Sequence, residues 1–183
     1  MDIKHFRIPG LALLSPKIFN DDRGFFLETF RESTYKELLG VEFVQDNMSY
    51  SVYGTVRGLH FQTSPYAQAK LVRCARGRIL DVAVDLRRDS GSFGSWIGVE
   101  LDGQAQQQFF LPAGFAHGFA VLSQEALVEY KCDAYYEPLA DAGLRFDDPD
   151  LGIDWRVPRA DMTVSAKDAT LPCWKDMYNK GIS

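Results

Sequence analysis

The amino-acid sequence predicts an all-β protein, a sandwich, jelly roll or small barrel with few helices. Three observations carry that prediction. Short runs rich in β-branched and aromatic residues recur along the chain, separated by Gly, Pro, Asn and Asp turns. Only one stretch has the pattern and stop signal of a helix. No strand–helix–strand unit is found, so a doubly wound nucleotide-binding fold is excluded. At 183 residues the chain fits a single domain, 1–183, long enough to bury a full core.

The elements follow in order. Leu11 to Phe19 opens the β pattern, and the turn Asn20-Asp21-Asp22-Arg23-Gly24 closes it. Phe25 to Phe30 alternates as a half-buried strand does. Ser33 to Leu39 is the expected helix, with Ser33 as N-cap and Gly40 as the stop. Strands are then expected at Glu42 to Asn47, Gly58 to Gln62, Lys70 to Ala75, Ile79 to Leu86, Trp96 to Leu101, Gln107 to Leu111, Phe119 to Leu122 and Leu127 to Ala134. In Ile79 to Leu86, period-two alternation puts Asp81, Ala83 and Asp85 on one face. Leu80, Val82, Val84 and Leu86 fall on the other. From 137 to 160 the chain turns acidic and rich in Pro and Gly, so 137–183 is expected as a loop-rich segment. Phe146, Ile153 and Trp155 give it the apolar anchors to pack on the sheet and close over something.

Apolar residues make up 46% and charged residues 25%, the profile of an ordinary globular protein. A net charge of −5 argues against nucleic acid as a partner. It leaves room for a small anionic ligand, which needs only two or three well-placed arginines. Cys74, Cys132 and Cys173 are odd in number and far apart, as expected of free thiols in a reducing compartment. With no apolar leader and no run long enough to span a bilayer, a cytoplasmic location is expected.

Three histidines frame the chemistry. His5 is terminal. His60 lies in the apolar segment Arg57-Gly58-Leu59-His60-Phe61, and His117 in Pro112-Ala113-Gly114-Phe115-Ala116-His117-Gly118-Phe119. Histidines in apolar strands are often packing residues, but two flanked by glycines suit an acid–base site. A metal would have to make do with His60, His117 and a carboxylate such as Glu28, because Gln62 stands where an HxH pair needs its second histidine. Arg23 and Arg57, each beside a glycine, suit either a phosphate fork or surface pairing with Asp21, Asp22 or Asp46. Lys70 is either a strand-end lysine or an inward charge for a developing oxyanion, and Tyr130 either a core aromatic or a phenol acid. Together these read as an acid–base enzyme on an anionic substrate.

Seven strings occur in a fixed order: Asp22-Arg23-Gly24-Phe25-Phe26, Phe43-Val44-Gln45-Asp46-Asn47, Val56-Arg57-Gly58-Leu59-His60-Phe61-Gln62, Ala69-Lys70-Leu71-Val72-Arg73, Leu80-Asp81-Val82-Ala83-Val84-Asp85-Leu86, the His117 segment, and Ser165-Ala166-Lys167-Asp168. The ordered set resembles the dTDP-4-dehydrorhamnose 3,5-epimerase family over roughly the whole chain. That resemblance implies a cupin-type jelly-roll barrel with a few short peripheral helices. It implies a dTDP-4-keto-6-deoxyhexose substrate, and neither a redox cofactor nor a metal.

By the same resemblance His60 is the base, Asp168 its acidic partner, Lys70 the cation at the ketone oxygen and Tyr130 the acid on the opposite face. Arg23 and Arg57 match diphosphate-binding arginines. Glu28, Gln45 and Asn47 match nucleotide contacts, His117 a second histidine lining the site, and Lys167 a lysine beside the acidic partner. Asp141 stands where some relatives carry a longer glutamate, which puts that contact in doubt. The family's homodimers pair N-terminal strands with the partner's sheet, so residues 1–30 are expected in dimer contact, with Arg23 and Glu28 reaching the neighbouring site. A mono-epimerase on the same fold, or a metal-dependent or ligand-binding cupin, remain the alternative functions.

Overall fold

A computed structural model describes residues 1–179. Its strands are β1 (Asp2–His5), β2 (Ala12–Ser15), β3 (Phe19–Asp21), β4 (Gly24–Phe26), β5 (Gln45–Val52), β6 (Thr55–Gln62), β7 (Lys70–Arg76), β8 (Arg78–Asp85), β9 (Trp96–Asp102), β10 (Gln108–Leu111), β11 (Phe115–Val121), β12 (Glu125–Cys132), β13 (Asp141–Gly143) and β14 (Thr163–Val164). The helices are α1 (Glu32–Leu39), α2 (Ala166–Ala169) and α3 (Trp174–Asn179). One sheet runs β1-β2-β10-β7-β12-β5; the other runs β13-β6-β11-β8-β9, with β14 joining β6 in parallel. All other pairings are antiparallel. The two sheets face each other as the jelly-roll barrel of the cupin class.

The alternation read in Ile79 to Leu86 is real, but both of its faces are buried. Ile79 and Ala83 point between the sheets, among Val72, Phe109, Phe119 and Val128. Leu80, Val82, Val84 and Leu86 point outward and are covered by Leu144, Phe146, Leu151, Trp155 and Val157. The loop-rich C-terminal segment therefore supplies a third layer. Indole N–H groups pin it: Trp155 Nε1 donates to Phe146 O at 2.7 Å and Trp96 Nε1 to Leu151 O at 2.8 Å. The start of α3 is held too, for Trp174 packs 4.9 Å from Phe93 and its backbone N–H donates to the buried Asp148. On the opposite side α1 seals the first sheet with Tyr35 against Leu14, Leu71 and Phe110.

Several expected boundaries move. The helix α1 starts at Glu32 after an extended Arg31 that makes no side-chain cap, so Ser33 lies inside it; Gly40 ends it at φ 72° as expected. Phe25 to Phe30 is not a half-buried strand. β4 stops at Phe26 and pairs only with β3, and Phe25 and Phe26 are 56% and 69% exposed because this hairpin stands off both sheets. β5 begins at Gln45 and continues to Val52, since β12 pairs with it all the way from Cys132↔Gln45 to Glu125↔Val52. β11 begins at Phe115, straight after Gly114 (φ 89°), because β8 offers partners from Asp85 onward. His117 is thus in a strand and not between two. β1 and β2 complete their own chain's sheet through β10. α2 and α3 are too short to show a period in sequence. Among the described residues no helix is long and apolar enough to cross a membrane.

Candidate active site

Register alone assembles the site. His60 on β6 is directly opposite His117 on β11, so both side chains enter the space between the sheets. From the facing sheet, β12 places Cys132 between Lys70 of β7 and Gln45 of β5, and Tyr130 between Val72 and Asn47. Val72 and Val128 are core residues, which fixes this row as inward. The result is a cavity of about 360 Å³ lined by His60, Gln62, Lys70, Tyr130, Cys132 and Tyr136, with Gln45, Asn47, Asp141 and Lys167 at its walls. A second cavity, lined by Arg57, Ser51, Thr163 and Ser165, shares His60 and Lys167 with the first.

Asp168 reaches His60 from far along the chain. β14 runs parallel to β6 through Thr163↔Thr55 and Val164↔Val56, and carries Ser165 and α2 to the back of His60. Ser165 caps α2 by accepting the Asp168 N–H at 3.0 Å. Asp168 is 3% exposed; one carboxylate oxygen lies 2.8 Å from His60 Nε2 and the other accepts the Gly58 N–H at 3.0 Å. Gly58 makes this possible. It sits at φ 116°, and a Cβ there would lie 2.7 Å from Gly118 Cα and from His117 O. Two glycines let β6 and β11 touch where their register shifts, and the displaced Gly58 N–H is free to point at the carboxylate.

The environment sets the protonation states. Burial pushes the His60 imidazolium down, opposed by the hydrogen bond and charge of Asp168. Burial also works to raise Asp168, but the Gly58 N–H and His60 outweigh it and hold the carboxyl low. The pair is therefore a neutral imidazole donating Nε2–H to a carboxylate, with Nδ1 left to take a proton. Burial lowers Lys70, offset by Cys132, Asp81 and Asp141. Burial raises Tyr130, so the phenol keeps its proton.

The remaining candidates divide. Gln45 donates to Asn47 at 3.0 Å, and Gln45 Oε1 accepts the Tyr136 N–H at 2.9 Å. Asp141 and Lys167 are ion-paired at the rim, so the shorter carboxylate is used within the chain. Arg57 donates to Ser51 Oγ at 3.0 Å and borders the second cavity. Arg23 and Glu28 are not brought to the pocket of their own chain. They pair with Asp21 and Arg31 at 2.6 and 2.5 Å on the outlying hairpin and the loop after it. His117 is buried beside Tyr130, ring centres 6.5 Å apart, and lies deeper than His60 and not at the cavity wall. Its Nε2 contacts both Asp81 oxygens, at 2.9 and 3.0 Å.

The metal arrangement of His60, His117 and Glu28 is not assembled. Among the described residues no group of three His, Cys, Asp or Glu converges. Gln62 is occupied with backbone, donating to Tyr66 O and accepting from Glu137 N–H. The sequence reading missed Gln62, Gln68, Cys132 and Tyr136 as lining residues. It also passed over Asp81, although two aspartates in an otherwise apolar strand were a visible signal.

The model of the dTDP-4-dehydrorhamnose 3,5-epimerase family matches residues 5–176. The chain belongs to that family. The 3,5-epimerase of Methanothermobacter thermautotrophicus is 48% identical over 172 residues, 93% of this chain and 91% of the relative. The Legionella pneumophila 3,5-epimerase, solved with dTDP-4-keto-L-rhamnose, superposes at a TM-score of 0.93 with 44% identity, covering 99% of this chain and 96% of that one. A 3′-monoepimerase of Streptomyces bikiniensis in complex with dTDP-quinovose matches at 0.89 with 32% identity, over 96% and 89%. Family members of different regiochemistry therefore share this barrel.

The contact at Gly58 is testable. Gly58→Ala is expected to destabilise the epimerase by at least ~2 kcal/mol, through left-handed strain and collision with Gly118 backbone. A urea midpoint equal to wild type would show that the two strands can part without loss.

Proposed function

We propose that the chain epimerises carbons 3 and 5 of dTDP-4-dehydro-6-deoxy-D-glucose, giving dTDP-4-dehydro-L-rhamnose. The single observation that carries this reading is the opposition of His60 and Tyr130. They enter one cavity from facing sheets, with Lys70 beside Tyr130, its Nζ 5.9 Å from the ring. A ketone at carbon 4 acidifies the hydrogens on carbons 3 and 5. His60 Nδ1 removes one of them, and the C–H electron pair moves toward the carbonyl to form an enolate. Lys70 holds the enolate oxygen, and Tyr130 returns a proton to the other face. Each epimerisation leaves an imidazolium and a phenolate, and one proton transfer between them restores both. No electrons are gained or lost overall, so the stoichiometry calls for no redox cofactor.

Arg57 and Lys167 border the neighbouring cavity and suit the diphosphate, while Gln45 and Asn47 suit the nucleotide. The site is completed by a second copy. Arg23 is exposed and far from its own pocket, on a hairpin whose Phe19, Phe25 and Phe26 are also exposed; a homodimer would bury those rings and deliver Arg23 to the neighbouring diphosphate and Glu28 to the nucleotide. Three unpaired cysteines fit a cytoplasmic location, which cell fractionation checks.

Turnover in deuterated water tests the chemistry. Wild type is expected to place deuterium at carbons 3 and 5; label at one carbon alone would mark a mono-epimerase, the reading that the Streptomyces relative favours. His60→Ala should lower exchange ~10²–10⁴-fold. Tyr130→Phe should keep exchange at the carbon His60 deprotonates yet fail to invert it, and normal product from that variant would remove the phenol from the mechanism.

The pH profile tests the dyad. His60 works as the neutral base, so kcat/KM should fall on the acid side at a pH below the ordinary histidine value. In Asp168→Asn the group that favours the imidazolium is gone, so this limb should move to still lower pH while the rate drops. An upward move would contradict the assigned roles. For the dimer, activity per chain should fall as dilution separates the copies; monomers that keep full activity would sink the shared site.

A further inference from the structure

Asp81 is fully buried in the middle of β8, between core residues, and the mechanism above gives it no task. The other buried aspartate of this strand, Asp85, is accounted for. It accepts hydrogen bonds from Arg87, Ser90 and Ser92 and ties down the loop that follows. Asp81 has no such set of donors. Both of its oxygens rest on one nitrogen, His117 Nε2. Burial pushes the Asp81 carboxyl up, opposed by His117 and by the charge of Lys70, so it stays a carboxylate only where a cation faces it. Lys70 on the opposing sheet is that cation: the charges of Asp81 and Lys70 act on each other, and among the described residues Lys70 makes no direct ion pair.

We infer that Asp81 is a positioning residue for the half of the pocket opposite His60: its charge keeps Lys70 cationic, and through His117 it holds the ring of Tyr130. For its bearing on turnover this rests on the epimerase reading given above. The arrangement is layered. β8 carries Asp81, the adjacent β11 carries His117, and the His117 ring lies 6.5 Å from Tyr130. Lys70 in turn lies against the face of Tyr130. One carboxylate thus backs both the oxyanion cation and the acid, while Asp168 backs the base.

The other groups facing Lys70 are His60 on β6, Tyr130 and Cys132 on β12, and Asp141 on β13. His60 is neutral, and the phenol and thiol stay protonated because burial raises both, Cys132 to about 11. Asp141 is ion-paired to Lys167. Asp81 is therefore the carboxylate whose charge is directed at Lys70. Around Asp81 itself the titratable groups are His117, Lys70 and Cys74, and burial raises the Cys74 thiol to about 12.

The near-isosteric Asp81→Asn variant keeps an oxygen for His117 and removes only the charge. We expect the Lys70 titration, followed by ¹³Cε NMR and assigned by its loss in Lys70→Arg, to fall by roughly one pH unit in Asp81→Asn. The alkaline limb of kcat/KM should move down with it, which a purely structural role for Asp81 would not produce. A Lys70 midpoint unchanged from wild type would falsify the proposal. A second measurement needs no variant: the wild-type Asp81 ¹³Cγ should report a carboxylate at neutral pH, and a protonated carboxyl there would overturn the proposal equally. If both NMR results hold while the wild type exchanges neither carbon 3 nor carbon 5, the Asp81–Lys70 pairing stands and the epimerase reading fails.

Discussion

The contact between His60 Nε2 and the Asp168 carboxylate joins residues 108 positions apart and fixes the orientation of a strand histidine. Its geometry needs three other features. Ser165 must start α2, β14 must lie along β6, and Gly58 must press against Gly118 so that its N–H is free to hold the second carboxylate oxygen. In a buried site this matters more than on a surface. An unpaired imidazole or carboxylate there would shift toward its neutral form or disturb the packing. Paired, they divide one proton in a defined way and leave a single ring nitrogen for chemistry.

The same demand shapes the rest of the barrel. Where polar groups enter the interior, register gives several of them company: Gln45 and Asn47 bond each other, and His117 finds Asp81. Elsewhere the interior is filled by Val72, Ile79, Phe109 and Val128. The pocket is the end of the barrel that hydrophobic packing leaves unfilled. The sheet that carries His60 can hold a precise geometry because its outer face is dry, sealed by Phe146, Trp155 and their neighbours.

In the proposed reaction, opposition of the two sheets gives inversion its geometry. A base and an acid on one strand would deliver the proton to the face it left. Because β6 and β12 belong to facing sheets, His60 and Tyr130 would meet a ring held between them from opposite sides. The relative named a 3′-monoepimerase and the one named a 3,5-epimerase share this barrel. The fold alone therefore does not set the regiochemistry.

The sequence by itself determined the β class, most strand positions, the shared face of Asp81 and Asp85, and, through ordered motifs, the family. Periodicity suffices for these because side-chain alternation is local and follows directly from strand geometry. It misjudged the hairpin at Phe25 and Phe26, where alternation had no sheet to be buried against, and the start of β11, where cross-strand partners extended a strand past its local signal. Only the tertiary structure decided that the residues around Trp155 cover a sheet, that Asp81 sits behind His117, and that Arg23 and Glu28 lie outside their own pocket. Those facts depend on which strands become neighbours, and that is set by the burial of the whole chain and not by the order of residues in any one segment.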